Sequence, residues 1–211
     1  VTFTDDVHLF EKAKLRVLNG THSTLAYTGT LCGIDTVFEA ISKPDMEAFI
    51  RRLLKEEILP TIDAGDKMDL SAYADDILNR YHNKHIRHLL AQIAWDGSQK
   101  LPFRILNTVR DRIKAKASFN LLSVPVAAWI LFIAKRQAAG ETITDPMAER
   151  LLSLAEKHSG DTKALTDAVL NERDVFAELS DNQAFRDTVH GQVEKLSNIT
   201  PETMAACLGE L

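Results

Sequence analysis

Apolar residues recur along this chain at intervals of three and four, the spacing that gathers them on one side of an α-helix. Leu9, Phe10, Ala13, Val17 and Leu18 open the series, preceded by an acidic start at Asp5-Asp6. The pattern predicts a first helix reaching about Leu31, with Gly29 and Gly33 loosening its end. Gly20 lies inside it, where glycine costs about 1 kcal/mol against alanine. That position therefore predicts close approach of a ligand or of a neighbouring backbone. A short helix over 36–42 is stopped by Lys43-Pro44, and 46–59 reads as amphipathic, with Phe49, Ile50, Leu53, Leu54 and Ile58 as its stripe. Pro60 ends it, and Asp63 to Asp66 form a solvated loop. Helices are predicted at 69–81, 88–95, 98–116 (capped by Ser98, with Pro102 in the first turn) and 119–137.

The most apolar run, 121–134, contains Ser123 and Pro125. It is shorter than the ~20 residues that span a bilayer, so it reads as a buried core helix. Gly140 and the Asp145-Pro146 pair mark a turn-rich connection at 139–146. Shorter amphipathic helices follow at 147–158, 163–170, 182–196 and 201–208, the last with Thr200 as N-cap and Pro201 at the first helical position. No alternation of strands and helices occurs. The fold class expected is all-α, one helical domain over 1–211, with a C-terminal helical subdomain at 141–211.

Composition changes this picture little. With 211 residues, 45% hydrophobic and 26% charged, the chain has ordinary globular character. A net charge of −5 predicts no nucleic-acid partner. Cys32 and Cys207 lack metal-like or redox-like spacing, no secretory leader is legible and no membrane span is predicted. A cytoplasmic setting with reduced thiols is the expectation.

Three residues carry the candidate chemistry. Lys14, Asn19 and His22 stand at i, i+5 and i+8, which on an α-helix fall at roughly 0°, 140° and 80°, within one broad face. An amine there can move a proton, an amide can hydrogen-bond an oxygen that gains charge, and an imidazole can hold a neighbouring hydroxyl. Such a set suits interconversion of an alcohol and a ketone, provided that desolvation brings the amine's pKa towards working pH. A second cluster, Asp96-Gly97-Ser98-Gln99-Lys100, reads as a turn into a helix whose free N–H groups and Lys100 would suit a hydroxylated or anionic substrate. A structural alternative is a plain capped helix start. His82, His85 and His88 invite a metal reading, but the first and third lie roughly 240° apart on a helix, so no metal site is expected.

Lys14-x4-Asn19-x2-His22, Leu25-Ala26-Tyr27, Arg80-Tyr-His-Asn83 and Asp96-Gly-Ser-Gln-Lys100-Leu-Pro102 together resemble the C-terminal domain of the mannitol dehydrogenase family, the polyol-specific long-chain dehydrogenases. The resemblance runs from about Lys14 to Pro146 and more weakly beyond. It implies a multi-helical domain like that of the 6-phosphogluconate dehydrogenase C-terminal-like dehydrogenases. It also implies an NAD-dependent oxidoreductase with Lys14, Asn19 and His22 as catalytic residues. Lys100, Gln92, Asn83 and His88 are implied as substrate-binding residues. Gln92 stands where mannitol-type members carry arginine, and the surrounding phrase looks more like the fructuronate reductases, also called D-mannonate oxidoreductases. Lys84 replaces a usual proline.

No glycine-rich turn between a strand and a helix is present, so NAD is expected to be bound mainly by a Rossmann domain preceding this chain. Residues 1–4 would then end the linking segment. The chain alone is expected to be inactive and not to bind NADH. The substrate expected is a small sugar acid, D-fructuronate or D-mannonate. A polyol such as mannitol is the runner-up, and a non-catalytic helical interaction module is the reading from another class.

Overall fold

The computed structural model describes residues 7–209, so the acidic start expected at Asp5-Asp6 and the linking segment at 1–4 lie outside the described residues. Within them the chain is all-α, 73% helical with no strand. In order the α-helices are α1 (Val7–Ala13), α2 (Gly20–Leu31), α3 (Val37–Ile41), α4 (Pro44–Arg52), α5 (Leu70–Tyr81), α6 (Leu90–Ile93) and α7 (Gly97–Leu101). They continue with α8 (Asn107–Lys114), α9 (Asn120–Ala138), α10 (Ala148–Lys157), α11 (Thr162–Leu170), α12 (Arg173–Phe176), α13 (Gln183–Leu196) and α14 (Met204–Gly209).

The periodicity located the helices except α12, which it left in the gap between 170 and 182, but not the places where their ladders slip. Lys14–Asn19, Leu53–Ile58 and Pro102–Leu106 are π-helical turns lying inside what the sequence predicts as continuous helices. At each exit a backbone N–H reaches back five residues: Gly20 to Leu15, Leu59 to Leu54, and Asn107 to Pro102. Pro102 cannot donate to a preceding turn, which explains one slip. The other two leave no trace in hydrophobic spacing.

Three boundaries differ from expectation. Only Leu90–Ile93 of the 88–95 segment is helical. Helix α14 begins at Met204, after a turn in which Thr200 Oγ1 accepts from Thr203 N–H. The third concerns Ser98, which does not cap α7. Asp96 occupies the N-cap position in a left-handed conformation (φ 56°, ψ 39°), while Ser98 is buried within the helix. Elsewhere the caps follow local chemistry: Thr36 and Glu39 form a reciprocal capping box on α3, and Asp69, Asp161 and Asn182 cap α5, α11 and α13.

Helix α9 is the centre of the core. It is long and apolar enough by composition to cross a membrane, yet here α2, α10, α11 and α13 pack around it. Residues Leu121 through Ile130 are all buried, with Trp129 among the largest side chains fully enclosed. Helices beyond residue 141 share this core: Phe176 stacks between Trp129 and Phe185 at 6.3 and 6.0 Å. Cys32, at the end of α2, is buried, and burial pushes its thiol up to about 11.

The start of α9 is tied to the second π turn by a buried carboxylate. Glu57 is 2% exposed and accepts from Leu122 N–H at 2.8 Å and from the Ser118 hydroxyl at 2.9 Å. An anion there meets both the unpaired N–H groups and the positive end of the helix dipole. Replacing Glu57 by Ala is expected to cost about 2–3 kcal/mol, because it strips a charged hydrogen-bond acceptor from a buried N–H. Urea unfolding should show a lower midpoint at unchanged slope. Glu57→Gln, which keeps one acceptor, should lose less.

Candidate active site

The site grows from the rod formed by α1, the first π turn and α2. Lys14 opens the π turn and Asn19 closes it. A ladder that closes on i+5 carries extra chain per turn, so residues five apart come towards one side. The roughly 140° separation expected from α-geometry is thereby reduced. Lys14 is exposed and Asn19 half-buried, and neither side chain has an ion pair or hydrogen bond among the described residues. The desolvation that a proton-transferring lysine requires is therefore not supplied by this chain's own packing.

The back of the turn is fixed firmly. Arg16, 7% exposed, pairs with Asp111 of α8 at 2.7 Å and donates to the Thr61 hydroxyl at 2.7 Å. Thr21 Oγ1 donates to the Val17 carbonyl at 2.6 Å, and the Tyr81 hydroxyl donates to the Leu18 carbonyl at 2.9 Å. The two hydroxyl oxygens lie 2.8 Å apart. Tyr81 comes from the end of α5, so the Arg80-Tyr81-His82-Asn83 stretch serves the site chiefly through its tyrosine. Gly20 answers the predicted close approach: a Cβ there would stand 3.0 Å from the Arg104 carbonyl. Without a side chain at residue 20, the π turn Pro102–Leu106 settles against the one carrying Lys14 and Asn19.

His22 lies one turn further on. Its ring stacks against Tyr81 with centroids 4.7 Å apart and meets the His88 ring edge-on at 5.9 Å. Its Nε2 is buried without a hydrogen-bond partner. Burial, with the nearby His88 and Arg104 as further causes, pulls its pKa down to about 4. At neutral pH the ring is thus uncharged, with one nitrogen donating and the other accepting. Tyr27 and Tyr81 are both pushed up by burial and remain phenols.

The Asp96–Lys100 cluster packs against Tyr27 and Trp129. Gly97 sits where any Cβ would overlap the Trp129 indole nitrogen and the Tyr27 hydroxyl, so this turn fits onto the core only as glycine. Ser98 N–H and Oγ–H both donate to the Asp145 carboxylate, at 2.8 and 2.6 Å, and Met147 N–H reaches the same group at 2.8 Å. The N–H group expected to be free for a substrate at Ser98 is therefore already taken by Asp145. Lys100 is half-buried and pairs with Asp96 at 3.5 Å.

The remaining candidates divide. His88 is brought to His22. Asn83 is exposed, its Oδ1 accepting from His85 N–H within its own loop, and Gln92 is exposed on α6 with no side-chain hydrogen bond among the described residues. Two of the three histidines diverge: His82 meets Glu47 at 3.5 Å while His88 meets His22. No group of three potential metal ligands converges among the described residues. Two site members went unread in the sequence, Arg104 and Ser23, whose side chains bond at 3.1 Å. Arg104 stands only two residues past Pro102 of the recognised motif, and that proximity was the available signal.

Residues 6–197 match the model of the mannitol dehydrogenase C-terminal domain. A D-mannonate oxidoreductase of Escherichia coli is 34% identical over 197 residues, covering 92% of this chain and 40% of that protein. A mannitol 2-dehydrogenase of Aspergillus niger is 33% identical over 168 residues, covering 77% of this chain and 34% of its own length. In structure, Pseudomonas fluorescens mannitol 2-dehydrogenase, solved as a ternary complex with NAD and D-mannitol, superposes with a TM-score of 0.87 at 26% identity. That match covers 100% of this chain and 42% of the other. The chain thus spans about 40% of the length of the Escherichia coli D-mannonate oxidoreductase.

The His22 environment has a thermodynamic signature. The unfolded state binds a proton near pH 6.5 and the folded state only near pH 4, so stability from this group is complete above the unfolded pKa. It falls away as pH drops from 6.5 towards 4, by up to about 3 kcal/mol. An NMR titration of the His22 ring should give a midpoint below about 5, and His22→Gln should flatten the acid limb of the stability curve. A midpoint near the free value of about 6.5 would mean that the ring is solvated.

Proposed function

Because the chain belongs to the mannitol dehydrogenase family, we propose that it is the substrate-binding, catalytic half of an NAD-dependent oxidoreductase that interconverts a secondary alcohol and a ketone. NAD supplies hydride transfer when bound, and in this reading it is held mainly by an N-terminal nucleotide-binding domain. The observation that carries the proposal is the π turn that bears Lys14 and Asn19 on one side, with the uncharged His22 ring one turn beyond.

In the direction of oxidation the Lys14 amine takes the hydroxyl proton as hydride leaves the same carbon. The reduction returns the proton to the new alkoxide. Asn19 donates its amide N–H to the oxygen on which charge develops, an interaction that strengthens as the reaction proceeds. His22 holds a neighbouring hydroxyl, and a neutral ring with an unpaired buried nitrogen suits that role. Closure of the nucleotide-binding domain over Lys14 would supply the desolvation that the exposed amine lacks. His88, beside His22, and Lys100 line the substrate, with Asn83 and Gln92 reaching it from the exposed rim.

Within the family we assign the substrate to the sugar acids, a keto-hexuronate such as D-fructuronate reduced to D-mannonate. Support comes from the phrase around Gln92 and from Arg104, a cation beside His22 with no carboxylate within ion-pair distance among the described residues. The superposition on a mannitol 2-dehydrogenase favours a neutral polyol as the second reading.

In the full-length protein, Lys14→Ala should lower kcat by ~10²-fold or more, the ordinary scale of a lost general acid–base group. Turnover within about threefold of wild type from about pH 6 to 10 would remove Lys14 from the chemistry. The same protein should prefer D-fructuronate to D-fructose by ~10²-fold in kcat/KM with NADH. Equal or better use of fructose or mannitol would place the chain with the polyol enzymes.

A further inference from the structure

Arg104 is a half-buried cation with no carboxylate within ion-pair distance among the described residues. Arg16, Arg110 and Arg186, which are also withdrawn from solvent, each meet one at 2.6–2.7 Å. An arginine cannot shed its proton to escape this cost, and burial pulls its pKa below the ordinary value without neutralising it. A buried charge left without a counter-charge is unfavourable and is normally offset by pairing. Asp96 is near enough to be felt electrostatically, but its carboxylate is paired with Lys100.

The guanidinium is also held in place. Its Nη1 donates to Ser23 Oγ, the residue next to His22, at 3.1 Å. Its own carbonyl rests above Gly20, so its backbone is registered against the helix that carries Lys14, Asn19 and His22. His22, Tyr27 and Tyr81 are the titratable groups around it besides Asp96, and all three are uncharged at neutral pH. One of five fixed donors is used. The others form the fork that matches a carboxylate with two parallel bonds.

We propose that Arg104 receives the carboxylate of a sugar-acid substrate, and that it rather than Lys100 sets the preference for acid over neutral sugar. The assignment rests on the sugar-acid reading above. Lys100 already has a carboxylate within ion-pair distance in Asp96, whereas Arg104 has none among the described residues. The carboxylate contact is made equally in the bound substrate and in the transition state, so its loss falls on KM more than on kcat.

The test uses the full-length protein with NADH and the pair D-fructuronate and D-fructose. Arg104→Met should raise KM for fructuronate by ~10²-fold and lower the acid-to-neutral ratio of kcat/KM by a similar factor. Arg104→Lys, which keeps charge but not the fork, should lower that ratio by about tenfold. Lys100→Met should change the ratio less than Arg104→Met does. A wild type that prefers fructose overturns the sugar-acid reading and this assignment with it. A wild type that prefers fructuronate, with the preference intact in Arg104→Met or lost only in Lys100→Met, overturns the Arg104 assignment alone. A fall in kcat for both sugars at unchanged KM would show that Arg104 only supports the fold of the site. If Arg104→Met proves unfolded by thermal melting, the Lys variant decides: an unchanged ratio overturns the assignment.

Discussion

The hydrogen bond from Gly20 N–H to the Leu15 carbonyl, one residue longer in reach than an α-helical bond, is the constraint on which the site depends. It widens the turn so that Lys14 and Asn19 approach one side of the rod. A turn of this kind is less stable than an α-turn and persists where surrounding structure holds it. Here the holding is done from outside the turn. Arg16 is anchored to Asp111 and Thr61, the carbonyls of Val17 and Leu18 take hydroxyl donors, and a side chain is excluded at residue 20. The residues that do the positioning are therefore scattered through α2, α5, α8 and the turn at Thr61, while the residues positioned lie within one six-residue turn.

This division explains what was legible in the sequence. Helix identity was readable because one buried stripe per helix leaves a period in the chain, as at Phe49, Ile50, Leu53 and Leu54. The candidate residues Lys14, Asn19 and His22 were readable because they keep a fixed local spacing. The π turns were not, because a one-residue slip alters a hydrogen-bond ladder without altering which residues are apolar. Ser98 was misplaced for a related reason. A serine following Asp-Gly reads as a cap by local preference, and only a carboxylate 47 residues away makes it an interior, buried residue. Arg104 escaped notice because the absence of a counter-charge is a property of the folded neighbourhood. No spacing in the chain encodes it.

Around the candidate site, burial keeps several titratable groups neutral beside a few charged ones. Histidine and two tyrosines are driven to their uncharged forms by burial, which leaves hydrogen-bonding capacity with no net field of its own. The charges beside them are those of Arg104 and the Lys100–Asp96 pair. In a partly dry environment a few such charges dominate the local potential, and the surrounding neutral groups then act as orienting contacts. A polyhydroxylated substrate needs many such contacts and few charges.

The clamp of Asp145 on Ser98 also carries a consequence in time. The two residues are 47 positions apart, and the carboxylate arrives from the connection that follows the longest core helix. On a ribosome adding roughly 5–20 residues per second, Ser98 waits some seconds for its partner. Until then the Asp96 turn has neither the Asp145 carboxylate nor the Trp129 wall to rest against. Lys14, Asn19 and His22 are made first, but the turn that carries Lys100 is fastened only once Asp145 has been added.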